Sequence, residues 1–194
     1  MSVITRDSLL TLEAYARERK AFRARVLEHK KPRTVHLGEH LTLLFEDELT
    51  IRYQVQEMLH WEKIFEDAGI QGELDAYNPL VPDGRNWKAT LQVEYEDVEE
   101  RKRALARLKG IEDRVWVQVH GHPRVHAIAD EDLERETDVK TSAVHFLRFE
   151  LTPAMIAALK SGAGLAIGVD HAEYAATLQP VPDATRSALL ADLA

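Results

Sequence analysis

The alternation of apolar and polar residues predicts two longer helices in the first third of the chain. Apolar residues recur at helical spacing from about residue 7 to residue 30, with Pro32 just beyond the end. They do so again from about residue 48 to residue 68, where Gly69 is a typical residue to end a helix. Between the two helices, the short apolar runs 35–37 and 41–45 predict a hairpin.

Beyond the turn-rich segment 78–84, the pattern changes to strands separated by shorter helices. Strands are predicted over residues 87–95, 114–120, 124–129, 143–151 and 165–169, and helices begin after Asp97, at the Thr152 cap and near Pro182. Several of these strands come in hairpin-like pairs, which is typical of antiparallel pairing. We therefore predict an α+β fold in which a mainly antiparallel sheet has helices packed against it.

The chain is predicted to form a single domain over residues 1–194. Its length falls in the single-domain range and no Pro/Gly-rich linker interrupts it. Within that domain, the N-terminal helices and hairpin occupy 1–70 and the sheet-rich remainder occupies 71–194. We see neither a secretory signal nor an apolar run long enough for a membrane span, so a cytoplasmic location is expected.

Charge and composition narrow the classes of partner and chemistry. The net charge of -8 argues against binding of nucleic acid, which depends on neutralising phosphates. The first 34 residues nevertheless carry nine basic and four acidic residues, so a basic first helix is expected to contact the acidic remainder or an acidic partner. The absence of cysteine excludes a disulfide, a thiol nucleophile and a cysteine-held iron–sulfur cluster in this chain.

Two helical charges and one acidic run also need an explanation. Arg19 and Glu62 interrupt the apolar faces of the two predicted helices, so they either pair, if those faces meet, or extend to solvent. The acidic run over residues 130–138 lacks the ligand spacing of a calcium loop, and we interpret it as preceding a helix start.

His145 is the most informative candidate for a functional site. It shares one face of the predicted strand 143–151 with apolar residues, so it is expected to be buried, and a buried imidazole needs polar partners. Asp170 and His171 follow the strand 165–169. If the two strands are neighbours, His145, Asp170 and His171 would form a His₂-carboxylate set for a non-haem iron or zinc ion. The alternative is a hydrogen-bonded core histidine beside a capping aspartate.

A second candidate site consists of long cations. Lys88, Arg148 and Arg52 lie on predicted sheet or helix surfaces and would suit a small anionic ligand, although surface charges are common. Arg148 lies on the same predicted strand as His145. The two candidate sites would therefore share an element.

Other patterns have simpler interpretations. Glu57 and His60 form one Glu-x-x-His, whereas a di-iron bundle needs two copies, so a surface pair is predicted. The histidines of the hairpin 120–126 have no carboxylate nearby in sequence and are interpreted as exposed. The glycine-rich stretch 162–168 precedes a predicted strand, so it is interpreted as a helix stop and not as a dinucleotide-binding turn.

Five sequence strings resemble a known bacterial family. They are LFED at 44–47, IRYQVQEM at 51–58, AYNPLVPDG at 76–84, NWKAT at 86–90 and TSAVHFLRFEL at 141–151. The family is catalogued as domain of unknown function 3501, and the resemblance covers nearly the whole chain. It implies no catalytic residues. It implies an accessory role near rubrerythrin-like proteins and iron–sulfur oxidoreductases.

Three functional hypotheses follow. The first is a non-catalytic accessory or binding protein that works with a redox or peroxide-handling partner, because the sequence has no recognised catalytic motif. The second is a small metal-dependent enzyme centred on His145. The third is a binder of a small anionic ligand. Whether the protein is an enzyme is left open by the sequence.

Overall fold

The architecture comes from a computed structural model that describes residues 3–133 and 135–194. Its six α-helices are α1 (Leu12–Lys30), α2 (Glu48–Glu62), α3 (Asp67–Tyr77), α4 (Val98–Arg107), α5 (Pro153–Lys160) and α6 (Asp183–Leu190). Its strands are β1 (Thr34–Leu37), β2 (Leu41–Glu46), β3 (Asn86–Val93), β4 (Val115–Val119), β5 (Val125–His126), β6 (Ile128–Ala129), β7 (Val144–Glu150), β8 (Leu165–His171) and β9 (Tyr174–Leu178). None of the helices described is both long and apolar enough to cross a membrane.

The strands form two sheets in which every pairing is antiparallel. The first sheet has the order β1-β2-β3-β7-β6, and the second has the order β5-β4-β8-β9. The α+β class and the mainly antiparallel pairing predicted from the sequence are therefore confirmed, with two sheets where one was expected. The two longer helices predicted for the N-terminal third are confirmed in outline.

The two sheets share one hydrophobic core. Alternate residues of each strand point inward, and the inward rows of β2, β3 and β7 in the first sheet join those of β4 and β8 in the second. Helices α4, α5 and α6 contribute further buried residues to the same core. The alternation of apolar and polar residues along each predicted strand therefore identifies the side chains that are buried in this core.

The sheets are connected on both sides. On one side the chain switches sheets at Ala127, since β5 pairs with β4 and β6 pairs with β7. On the other side the Tyr174 hydroxyl donates to the Leu37 carbonyl oxygen at 2.6 Å and accepts from the His40 N–H at 3.1 Å. Gly38 lies between these contacts with φ +70°, and a Cβ there would collide with the Tyr174 hydroxyl.

Helices α1, α2 and α3 form a separate cluster. Its buried apolar side chains are Ile4, Ile51, Val55, Leu59 and Leu74. Polar contacts link this cluster to the first sheet, because the buried Glu46 carboxylate accepts from the hydroxyls of Thr50 at 2.5 Å and Thr90 at 2.7 Å. The single-domain expectation stays a prediction.

The predicted helix over 48–68 is wrong at its C-terminal end. Helix α2 ends at Glu62, where Lys63 adopts a left-handed conformation with φ +58°. The N–H of Ile64 then donates to the Leu59 carbonyl oxygen at 3.0 Å, which closes the helix end. Gly69, predicted to end this helix, lies inside α3. Lys63 has no side-chain feature that marks it as a helix stop.

The start of α1 and the presence of β9 also differ from the prediction. Helix α1 is capped by Thr11, whose hydroxyl oxygen accepts from the Ala14 N–H at 3.3 Å, and only a short 3₁₀ turn precedes it. Strand β9 was not predicted, because its residues alternate between half-buried and exposed without strong apolar character. It pairs with β8 and completes the second sheet.

Candidate functional site

His145 is fully buried, as the strand pattern predicts. It lies near the start of β7 in the inward row that also holds Leu147 and Phe149, and its exposed fraction is 0%. On the neighbouring strand β3 it lies opposite Leu91. An imidazole in this position has no access to water, so both ring nitrogens depend on protein atoms.

Both ring nitrogens of His145 contact oxygen atoms. Nδ1 donates to the Asp130 Oδ2 atom at 2.6 Å, since a carboxylate only accepts. Nε2 lies 2.9 Å from the Thr141 Oγ1 atom, 3.1 Å from the Ser142 carbonyl oxygen and 3.6 Å from the Glu112 Oε2 atom. We call Glu112, Asp130, Thr141 and His145 the His145 cluster.

Asp130 reaches His145 because β6 pairs with β7. Immediately after β6, Asp130 has φ +48°, and its N–H donates to the Phe146 carbonyl oxygen at 2.9 Å. Its Oδ1 atom accepts from the Phe146 N–H at 3.0 Å, so backbone contacts on β7 orient the carboxylate. The Arg135 guanidinium lies 3.3 Å from the same oxygen. The acidic run over 130–138 therefore contributes a buried contact and does not precede a helix.

Glu112 comes from a different part of the fold. It lies in a 3₁₀ turn just before β4 and is only 7% exposed. The Thr141 hydroxyl donates to its Oε2 atom at 3.2 Å, and the Thr141 N–H donates to the Leu105 carbonyl oxygen at 3.1 Å. The carboxylates of Glu112, before β4, and Asp130, after β6, thus both lie next to the His145 imidazole.

The oxygen atoms around Nε2 restrict what occupies the space between them. A carbonyl oxygen and an ionised carboxylate are acceptors only, and the single hydroxyl proton of Thr141 serves one acceptor at a time. The Thr141 hydroxyl therefore donates either to Nε2 or to Glu112. When it donates to Glu112, Nε2 either carries a proton or binds a cation. Glu112, Asp130 and His145 have potential ligand atoms within 4.8 Å of one another.

An acidic cavity of about 490 Å³ opens beside the His145 cluster. Two members of the cluster, Glu112 and Asp130, line it. The other charged residues that line it are Asp113, Glu131, Asp132, Glu136 and Arg135. Arg135 donates to Asp132 at 2.5 and 2.7 Å, and that hydrogen bond lowers the pKa of the Asp132 carboxyl. Carboxylates outnumber cations among the described residues of this wall, and such a field attracts positive ions. Glu134 lies outside the described residues.

The structure does not bring His145 together with Asp170 and His171. Strand β8, which carries both of these residues, pairs with β4 and β9, whereas β7 belongs to the first sheet. Asp170 instead pairs with Arg124 at 3.1 Å, and the His171 Nε2 atom donates to the Lys109 carbonyl oxygen at 2.9 Å. The predicted His145–Asp170–His171 metal set is therefore corrected, since chain order did not reveal which strands are adjacent.

Only two of the three residues predicted to bind an anionic ligand, Lys88 and Arg148 but not Arg52, are neighbours in the structure. Lys88 and Arg148 lie directly opposite each other on β3 and β7. Arg148 donates to both carboxylate oxygens of Glu131 at 2.8 Å and to Glu150 at 2.7 Å, and these contacts raise its pKa. Arg52 lies on α2 and donates to Glu48 at 2.7 Å. Both guanidinium groups are thus neutralised by the protein's own carboxylates.

Glu57 lies in a contact region between α1 and α2. Its carboxylate accepts from the Tyr15 hydroxyl, from Arg19 at 2.8 and 2.7 Å, and from the Trp61 indole N–H at 3.2 Å. Of the two alternatives for Arg19 and Glu62, the pairing does not form, because Arg19 pairs with Glu57 and Glu62 is exposed. The Arg19 hydrogen bonds lower the pKa of Glu57 to about 2.

Comparisons with known proteins agree on the family. A family model described as "Protein of unknown function (DUF3501)" matches residues 3–193. The crystal structure of a protein of unknown function from Burkholderia pseudomallei K96243 is similar over 100% of both chains, with 62% sequence identity and a TM-score of 0.92. The search of curated proteins finds no match. The resemblance read from the five sequence strings is confirmed, and the chain belongs to the family of domain of unknown function 3501.

Proposed function

We propose that this protein binds one divalent transition-metal ion at the His145 cluster and is a small metal-dependent enzyme. The observation that carries this proposal is the position of Nε2 among three oxygen atoms at 2.9, 3.1 and 3.6 Å. Imidazole and carboxylate ligands suit iron, zinc or manganese. Nε2 of His145 and the Glu112 carboxylate would be the protein ligands.

Asp130 would act on the metal through His145. Its hydrogen bond to Nδ1 at 2.6 Å directs the lone pair of Nε2 toward Glu112, as outer carboxylates do for many metal-bound histidines. The acidic cavity would admit the cation and leave positions for water or substrate next to Glu112. A metal ion held in this way supplies activation of a bound water molecule.

The competing interpretation is a metal-free cluster. Nε2 then either accepts from the Thr141 hydroxyl or carries a proton, and the cluster only links Asp130 and Thr141 to β7. Metal content separates the two interpretations. Protein purified without chelators is expected to hold about one equivalent of iron, zinc or manganese by elemental analysis, because the described residues contain one such ligand set.

The matched variants are Glu112→Gln and Asp113→Asn. Glu112→Gln retains an acceptor for Thr141 but removes the ligand charge, so we expect the metal to be lost while the circular dichroism spectrum is retained. Asp113→Asn removes one charge from the exposed wall of the same cavity and should retain the metal. Metal-free wild-type protein whose melting temperature does not respond to added iron, zinc or manganese would show that the cluster does not bind these metals.

A second candidate function is the accessory role beside a redox partner. It is supported by the family resemblance and by two exposed aromatic side chains near the end of α2, Trp61 at 64% and Phe65 at 69% exposure. Exposed aromatic residues are enriched at protein interfaces. We expect the double variant Trp61→Ser/Phe65→Ser to weaken binding to a purified rubrerythrin-like protein in surface plasmon resonance, whereas Val139→Ser should not. Equal binding by all three proteins would exclude this surface.

A further inference from the structure

Lys88 is a partly buried lysine whose amine has no partner among the described residues. It points outward from β3, and its two cross-strand neighbours are Glu46 on β2 and Arg148 on β7. The Glu46 carboxylate already accepts hydrogen bonds from Thr50 and Thr90. Arg148 already forms ion pairs with Glu131 and Glu150. No hydrogen bond or ion pair from the Lys88 amine reaches any residue that the structure describes.

The Lys88 side chain borders a small cavity, which we call the Lys88 pocket. Its volume is about 220 Å³, and its walls include Pro79, Leu80, Phe146 and Leu147. This is roughly the liquid volume of seven water molecules. The charged groups that line it besides Lys88 are Arg148, Glu131 and Asp132. The pocket therefore combines an apolar wall, a free amine and room for a small organic molecule.

The surroundings favour the neutral form of the amine. Burial lowers the pKa of Lys88, and the nearby charge of Arg148 acts in the same direction. The carboxylates of Glu131, Asp83 and Glu150 act in the opposite direction and do not cancel the effect. A lysine in an apolar pocket beside another cation is the usual setting for an amine nucleophile.

We propose that Lys88 is a nucleophilic amine that forms a Schiff base with a small aldehyde or ketone bound in the Lys88 pocket. The neutral amine adds to the carbonyl carbon to give a carbinolamine. In this addition one amine hydrogen moves to the former carbonyl oxygen. The resulting hydroxyl then leaves as water with the second amine hydrogen, and a carbon–nitrogen double bond forms. No electrons are transferred in this sequence, so no oxidant, reductant or metal ion takes part.

The experiment is reductive trapping on the full chain. Propanal and sodium cyanoborohydride are added at pH 7, and the rate at each lysine is read by peptide mass spectrometry. Lys102 is the internal reference, because it is exposed and paired with Glu99. We expect Lys88 to react faster than Lys102, since a lowered pKa leaves a larger fraction of its amine neutral at pH 7. The preference should shrink at pH 10, because ordinary lysine amines also begin to lose their protons near that pH.

Two variants test the role of the pocket and its independence from the His145 cluster. Leu80→Phe fills the Lys88 pocket and should abolish the preference for Lys88 while Lys102 reacts as before. Glu112→Gln should leave the preference unchanged, because this inference does not depend on the metal. Lys88 reacting no faster than Lys102 in the wild-type protein, or a preference that survives in Leu80→Phe, would overturn the proposal.

Discussion

At the scale of single residues, a buried polar side chain takes its properties from neighbours that are distant in sequence. The burial of His145 follows from the alternation along β7, and it is confirmed at 0% exposure. Its partners Asp130 and Glu112 could not be identified, because one precedes β7 by a loop and the other precedes β4. The one available signal was the acidic run that begins at Asp130 directly after a predicted strand.

Glu57 shows the same dependence and leads to a prediction about pH. Its pKa is about 2 in the folded protein, mainly because of Arg19, against about 4.3 for an unperturbed glutamate. A carboxyl with a lowered folded pKa stabilises the protein above its unfolded pKa, and that contribution is lost as pH falls toward the folded pKa. We expect Glu57→Gln to lower the free energy of unfolding at pH 7 by about 1.5 to 3 kcal/mol, the range for hydrogen bonds to charged groups.

The measurement is urea unfolding of wild type and Glu57→Gln at pH 7, 5, 4 and 3. The difference between the two proteins should be constant from pH 7 to 5 and should shrink below about pH 4, where the unfolded wild-type chain takes up its proton. Glu62→Gln on the same helix is the control, because Glu62 is exposed. A difference for Glu57→Gln that is independent of pH down to 3 would contradict this explanation.

At the scale of elements, apolar periodicity located most helices and strands but not all of their ends. The cap at Thr152 and the glycine that ends α5 were predicted from side-chain chemistry, and both are confirmed. The break between α2 and α3 has no such signal, because Lys63 adopts its left-handed conformation without a glycine or asparagine. Leu59 and Leu74, which lie on either side of this break, are buried in the same cluster.

The sequence also did not reveal which strands pair with each other. The strand predicted over 124–129 is in fact β5 and β6, which pair with different sheets on either side of Ala127. Because of this switch, Asp130 lies beside β7 and not beside the second sheet. Local patterning does not reveal such a switch, since each half of the segment has the same extended conformation.

At the scale of the whole molecule, a buried ion pair joins the segment after α1 to the segment after α6. Arg33, which is 3% exposed, donates to both carboxylate oxygens of Asp192 at 2.8 and 2.9 Å and lies 3.0 Å from Asp47 at the start of α2. Burial raises the pKa of Asp192, although Arg33 opposes this effect. The pair fixes the position of the last helix relative to β1 and α2.

Removing one partner should cost far more than removing both. We expect Arg33→Met to lower the free energy of unfolding by about 3 to 5 kcal/mol, because it leaves the Asp192 carboxylate buried without its main partner. The double variant Arg33→Met/Asp192→Leu should recover part of that loss. Urea unfolding measures both. Lys31→Met, which removes an exposed ion pair with Glu28, is the control and should change the stability by less than about 1 kcal/mol. If Arg33→Met lowers the free energy of unfolding by less than about 1 kcal/mol, the Arg33–Asp192 pair does not hold the segment after α6 in place.

The sequence by itself determined the fold class, the family, most elements and the burial of His145. The family was identified from five strings of residues, and the other three depend on local apolar periodicity, which does not require distant contacts to be known. The tertiary structure decided the order of the strands, the switch at Ala127, the partners of His145 and Arg33, and the pocket beside Lys88. These depend on which inward-facing rows share a core, and hydrophobic burial is not directional, so several strand orders satisfy the same pattern. The charges around each candidate site therefore become known only once the strands have their neighbours.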